Sequence, residues 1–132
     1  MKILSTDTSA VALGVDRKVL DNVLSREGRA LLGRGSRGRS RRISIAALER
    51  IAIALILNRD LGVSVAKGLQ LAEAIISSPI GQAAVGSLGV LAFDLPLLRR
   101  TLELAVDDAL EAVAPRTRGR PRSDKFATSW RR

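Results

Sequence analysis

Apolar residues recur along this chain at helical spacing, in segments separated by Gly, Ser and Pro. Ser5 or Thr6 is placed to cap a short first helix, with Ala10 and Leu13 turned inward and Gly14 at its end. Gly14-Val15-Asp16 then makes a tight turn, and Asp16 caps a second helix to about Arg26. Val15, Val19, Leu20, Val23 and Leu24 form its apolar stripe, while Arg17, Lys18, Asp21 and Asn22 face the other way. Past Gly28, the pattern predicts two brief strands, Arg29-Ala30-Leu31-Leu32 and Arg41-Arg42-Ile43, around the Gly- and Arg-rich tract from 33 to 40.

Ser44 is predicted to cap a long helix to about Arg59 that buries Leu48, Ile51, Ala52, Leu55 and Ile56. Leu61-Gly62-Val63 breaks it, and Ser64 caps a further helix with Val65, Leu69, Leu71, Ala72 and Ile75 or Ile76 inward. The Gly- and Ser-rich segment from 78 to 89 reads as a linker or loose turn, and Val90 to Leu95 as a short strand. Pro96 suits the first turn of a last helix to about Val113, with Leu98, Leu102, Ala105 and Ala109 on its apolar face. Residues 116 to 132 hold too little apolar surface to fold alone.

Charge sharpens this picture. The 132 residues carry 22 Lys and Arg against 13 Asp and Glu, a net +9 that favours a polyanionic partner. Residues 1 to 50 hold eleven basic and five acidic groups, residues 51 to 115 four and seven, and residues 116 to 132 seven and one. Two basic blocks therefore flank a mildly acidic middle, which places the charge where phosphates would be met. With neither Cys nor His, the chain lacks thiolate and imidazole ligands and the usual general base; a reducing cytoplasm fits. Ser5 to Ser9 interrupts the N-terminus before any secretory h-region forms. The twenty uncharged residues from Ala74 to Phe93 match a membrane span in length, but eight Ser, Gly, Pro and Gln residues make them a poor one.

Thr6 to Ser25 carries the clearest functional pattern. Ala10, then Gly14, then Leu20 and Val23 occupy the small, turn and core positions of a helix-turn-helix. Arg17, Lys18 and Asn22 then lie near the start of a recognition helix, where side chains reach base edges in the major groove. A plain helical hairpin with a solvated face is the alternative. Six arginines lie between 29 and 42 with no acidic residue, interleaved with Gly33, Gly35 and Gly38. Among them Arg34, Arg37, Arg39, Arg41 and Arg42 suit phosphate or minor-groove contacts, with a salt slope of about −4 to −5 if five or six are engaged.

The order of capped helix, Leu13-Gly14-Val15 turn, helix, arginine-rich segment, Arg42-Ile43-Ser44-Ile45 and Leu61-Gly62-Val63-Ser64 resembles MerR-type winged-helix regulators over about residues 3 to 76. That resemblance implies a homodimer on a palindromic or repeated site. The chain departs from the family in having Leu20, Asn22, Val23 and Ile43 where aromatic residues are common, and in lacking the long dimerising coiled coil and effector domain.

Gly33 to Gly38 matches the GxGxxG spacing, but Arg39-Ser40-Arg41-Arg42 follows where a dinucleotide site needs an apolar helix. Arg118-Gly119-Arg120-Pro121 resembles an AT-hook core, with Thr117 where a proline usually stands; a generic basic tail is the alternative. Glu103, Asp107, Asp108 and Glu111 meet no His, Cys or phosphate loop, so a solvated helix face is expected and no enzyme.

The expected fold is mostly α: a winged helix-turn-helix with a small β-wing over residues 1–76, a linker with a dimerising strand and helix over 77–114, and a disordered basic tail over 115–132. The expected function is binding double-stranded DNA as a dimeric transcriptional regulator or nucleoid-associated protein in the cytoplasm, with no cofactor, metal or membrane partner. The alternatives are an antitoxin-like autoregulator holding a protein partner through its C-terminal region, a peripheral membrane protein, and an RNA-binding protein.

Overall fold

The computed structural model describes residues 3–32 and 42–113. Ser5, Ser44 and Ser64 stand in extended backbone, and their hydroxyls accept from the amides of Thr8 (3.1 Å), Ala47 (3.1 Å) and Lys67 (3.2 Å). Each cap satisfies an amide that the first helical turn leaves without a partner. These serines open α1 (Thr6–Leu13), α3 (Ile45–Leu61) and α4 (Val65–Ser77), at the starts expected from sequence. Asp94 does the same for α5 (Leu95–Ala112), accepting from the Leu97 amide at 3.1 Å with Pro96 in the first turn. In α2 (Arg17–Leu32), the Asp16 carbonyl accepts from the amides of Val19 and Leu20.

Two small antiparallel sheets complete a mostly helical chain. β1 (Ile3–Leu4) pairs with β2 (Ile43–Ser44), Ile3 opposite Ser44 and Leu4 opposite Ile43. β3 (Gln82–Val85) and β4 (Gly89–Ala92) form a hairpin, extended by a bond from the Phe93 amide to the Gly81 carbonyl at 2.9 Å.

Several expectations are corrected. Residues 29 to 32 are not a strand but the last turn of α2, because Leu31, buried, continues the stripe of Leu20 and Leu24. Gly28 sits within that helix rather than ending it. The strand after the arginine-rich segment therefore pairs with the N-terminal β1, not with residues 29 to 32. Val19 is exposed, not inward. The supposed linker contains β3, whose Ala83 is buried against α4 and α5 residues.

The core falls into two clusters that meet on α3, α4 and α5. The first includes Leu4, Ala10, Leu20, Val23, Leu24, Leu31, Ile43, Leu48, Ile51 and, from α4, Leu69, with Leu102 and Val106 of α5. Ile53, Leu57, Leu71, Ala72, Ile75, Ala83 and Leu95 form the second. Serving both, α3 is buried on most of its circumference, and its apolar face is wider than the five positions expected. The apolar face of α5 packs on α1 of its own chain. Residues 95–112 thus share a core with the helices before residue 76.

Candidate nucleic-acid interface

α1 ends in a turn that its own backbone closes. Gly14 adopts φ 70° and ψ 31°, its amide donates to the Val11 carbonyl, and the Val15 amide donates to the Ala10 carbonyl, each at 3.1 Å. This left-handed residue disfavours any side chain with a Cβ, which explains Gly at this position. The chain is redirected within three residues, and α2 sets off with Leu20, Val23 and Leu24 against the first core cluster.

At 100° per residue, that buried stripe turns Lys18, Asn22 and Arg26 outward, and all three are exposed. Among the described residues, no ion pair holds Lys18 or Arg26. Arg26 was missed as a candidate because the helix was expected to end there; its i+4 spacing from Asn22 was the available signal. Arg17 lies elsewhere on the helix surface. Its Nη1 donates to Asp7 Oδ1 at 2.7 Å and its Nε stands 3.5 Å from Asp21 Oδ2, so it clamps α2 to the start of α1. Its side chain is 57% exposed, and an ion pair so open to water contributes about 0–1 kcal/mol, little enough for a phosphate to compete.

Arg42 is exposed immediately before β2. The β1–β2 ladder holds that strand, and Arg42 just before it, beside the residues that lead into α1. Arg34, Arg37, Arg39 and Arg41 lie outside the described residues, as do Arg118 and Arg120. The structure thus places Arg17, Lys18 and Asn22 on the first turns of one helix.

Other charged groups are matched within the fold. Arg50 Nη1 lies 3.3 Å from Glu73 Oε1, joining α3 to α4, and Arg99 Nε donates to Glu49 Oε2 at 3.2 Å, joining α5 to α3. The latter pair spans a groove of about 450 Å³ floored by Ile45, Leu102 and Val106. The Asp60 carboxyl is held below its ordinary range by a hydrogen bond from Arg59, whose own basicity it raises in return. Both are exposed near the end of α3, where Arg59 also offsets the negative pole of the helix. Among the described residues no His, Cys, Asp and Glu side chains gather into a metal site, and no helix is long and apolar enough to cross a membrane.

Comparison with protein-family models, with curated proteins and with solved structures finds no match to this chain.

Proposed function

We propose that this chain binds duplex DNA, with the first turns of α2 in the major groove and the arginine-rich segment from 33 to 42 on the adjacent backbone or minor groove. The observation that carries it is the pairing of a tight α1–α2 turn with an outward row of Lys18, Asn22 and Arg26 on the second helix. Such a row presents donors suited to guanine and adenine edges at the spacing of successive helical turns. The β1–β2 ladder supports the winged form of this arrangement, because it holds Arg42 beside the residues that lead into α1. The capped α1, the Gly14 turn and the Ser44- and Ser64-capped helices are compatible with the resemblance to MerR-type regulators, and a regulatory or architectural role on DNA is part of the proposal.

Arg17 takes a different part from the one its position suggests. Bound to Asp7, it sets the angle between the helices, and it reaches DNA only by giving up that pair. Lys18 and Asn22 are therefore the base readers, and Arg42 with its neighbours supplies phosphate contacts. Binding to a fluorescent duplex across a salt series tests this. Replacing Arg39, Arg41 and Arg42 together by Ala is expected to weaken binding to every sequence alike and flatten the salt slope, by about 0.9 for each phosphate no longer neutralised. Asn22→Ala is expected to cost about 1–3 kcal/mol at preferred sites alone. Unchanged affinity in both variants, or equal binding to single-stranded RNA, overturns the reading.

A further inference from the structure

The β3–β4 hairpin presents apolar side chains to water. Leu88 at its tip is 100% exposed, Val90 62% and Val85 44%, and Ile80 just before it is exposed as well. A hairpin with only two strands leaves an outer edge of unpaired amides and carbonyls on each. β3 packs against α4, whereas the chief neighbour of β4 is β3 itself. Soluble proteins blunt such edges with Lys, Pro, a bulge or an inward charge. Here the register runs unbroken from Gln82–Ala92 to Val85–Gly89, and residues 82 to 92 contain neither Pro nor any charged side chain.

We propose that β4 is the seam of a homodimer, pairing antiparallel with β4 of a second copy about a two-fold axis to join two hairpins into one four-stranded sheet. The proposal stands independently of the DNA reading. Charge selects the occupant. Two copies of a chain with net +9 repel unless they meet through a neutral surface, and the stretch from Ala74 to Phe93 is the longest without a charge. A nucleic acid or an anionic vesicle needs cations beside the apolar tip, yet no Lys or Arg occurs between Lys67 and Arg99. A strand meeting its own copy antiparallel satisfies a two-fold operator, so one edge suffices for closure. Leu88 and Val90 then leave water against their symmetry mates, and each β4 gains backbone partners for its open groups. Stable interfaces of standard size take about 800 Å² per partner, more than so short a hairpin covers, so the dimer is weak and concentration-dependent.

Sedimentation equilibrium of the full chain across a concentration series tests this. The mass is expected to rise from 14.1 kDa toward twice that value. Val90→Lys, which sets like charges face to face, is expected to raise the dissociation constant about tenfold or more with an unchanged circular dichroism spectrum. Leu104→Lys, at an exposed leucine of α5, is expected to leave the assembly intact. Amide exchange at residues 89 to 92 of the unaltered chain, slowing as concentration rises, gives the same readout with no substitution. A wild-type mass that stays at one chain up to the solubility limit overturns the proposal. So does a dimer that survives Val90→Lys in folded form, one that Leu104→Lys breaks, or Leu88-dependent sedimentation with anionic vesicles.

Discussion

The exposed face of α2 and the β3–β4 hairpin stand on different parts of the same core. α2 rests on the first cluster, and its outward row is Lys18, Asn22 and Arg26, polar and cationic. The hairpin rests on the second, and its outward side chains include Leu88 and Val90, apolar and neutral. Among the described side chains, none of α2 belongs to the second cluster and none of the hairpin to the first. The chain has thus segregated two chemistries over two packing units, joined chiefly by α3, which contributes Leu48 and Ile51 to one and Ile53 and Leu57 to the other, with α4 and α5 also reaching both. A polyanion and a second copy of the chain would then use separate surfaces, so that neither competes with the other.

The strongest attempt to separate the two regions targets α3. Ile51→Ala and Leu57→Ala, one in each cluster, are each expected to cost about 2–5 kcal/mol, because both side chains are almost fully buried and their removal leaves a void. Urea denaturation followed by circular dichroism should give one transition for each variant; two transitions would mean that the regions unfold apart and that α3 does not couple them. A smaller loss, about 1–2 kcal/mol, is expected from Gly14→Ala, since φ 70° is held at a residue that would now carry a Cβ. Its DNA affinity should fall while its self-association does not, which sharpens the contrast between the surfaces. Ser44→Ala removes the cap of the shared helix and is expected to cost about 1 kcal/mol, read as a lowered denaturation midpoint, with Ser44→Gly costing a few tenths.

The finest distinctions concern charge. Arg26→Ala should reduce the salt slope of DNA binding by about 0.9 with no change in stability, and an unaltered slope would remove Arg26 from the interface. Asp7→Asn should change stability by less than about 1 kcal/mol, because the pair with Arg17 is exposed. The same substitution leaves Arg17 only its pair with Asp21 and is expected to strengthen DNA binding at low salt; weaker binding would mean that the clamp, rather than a freer cation, is what the site needs.

What the sequence disclosed followed from local physics. Ser5, Ser44 and Ser64 each announce a helix because a hydroxyl three residues ahead of an amide satisfies it without help from the rest of the chain, and Gly14 announces a turn for an equally local reason. The misread stretches depend on distant partners. Gly28 resembles a stop, and a glycine inside a helix costs about 1 kcal/mol against Ala, but burial of Leu31 in the first cluster outweighs that cost. The Leu20, Leu24 and Leu31 spacing carried this information. β3 is built from Gln, Ala, Ala and Val after a Gly- and Ser-rich run, and it is a strand through its ladder with β4 and the burial of Ala83 against the second cluster. The apolar face of α5 suits a neighbouring chain or its own α1 equally well, and periodicity cannot choose between them. At the candidate interface, the exposed positions of Lys18 and Asn22 were legible from helical spacing, but the diversion of Arg17 to Asp7 was not, since it depends on the angle between two helices.

The docking of α5 on α1 has a consequence for synthesis. Leu4 and Ala10 leave the ribosome some ninety residues before Leu102 and Val106, which close the cluster they enter. The α1–α2 and α3–α4 pairs are close in sequence and can form while translation continues, whereas the α1–α5 contact closes a loop of most of the chain. A nascent chain arrested before α5 should therefore carry an α1 that is formed but uncovered, open to chaperones and proteases. The α1–α2 pair reaches its final rigidity only after α5 has emerged.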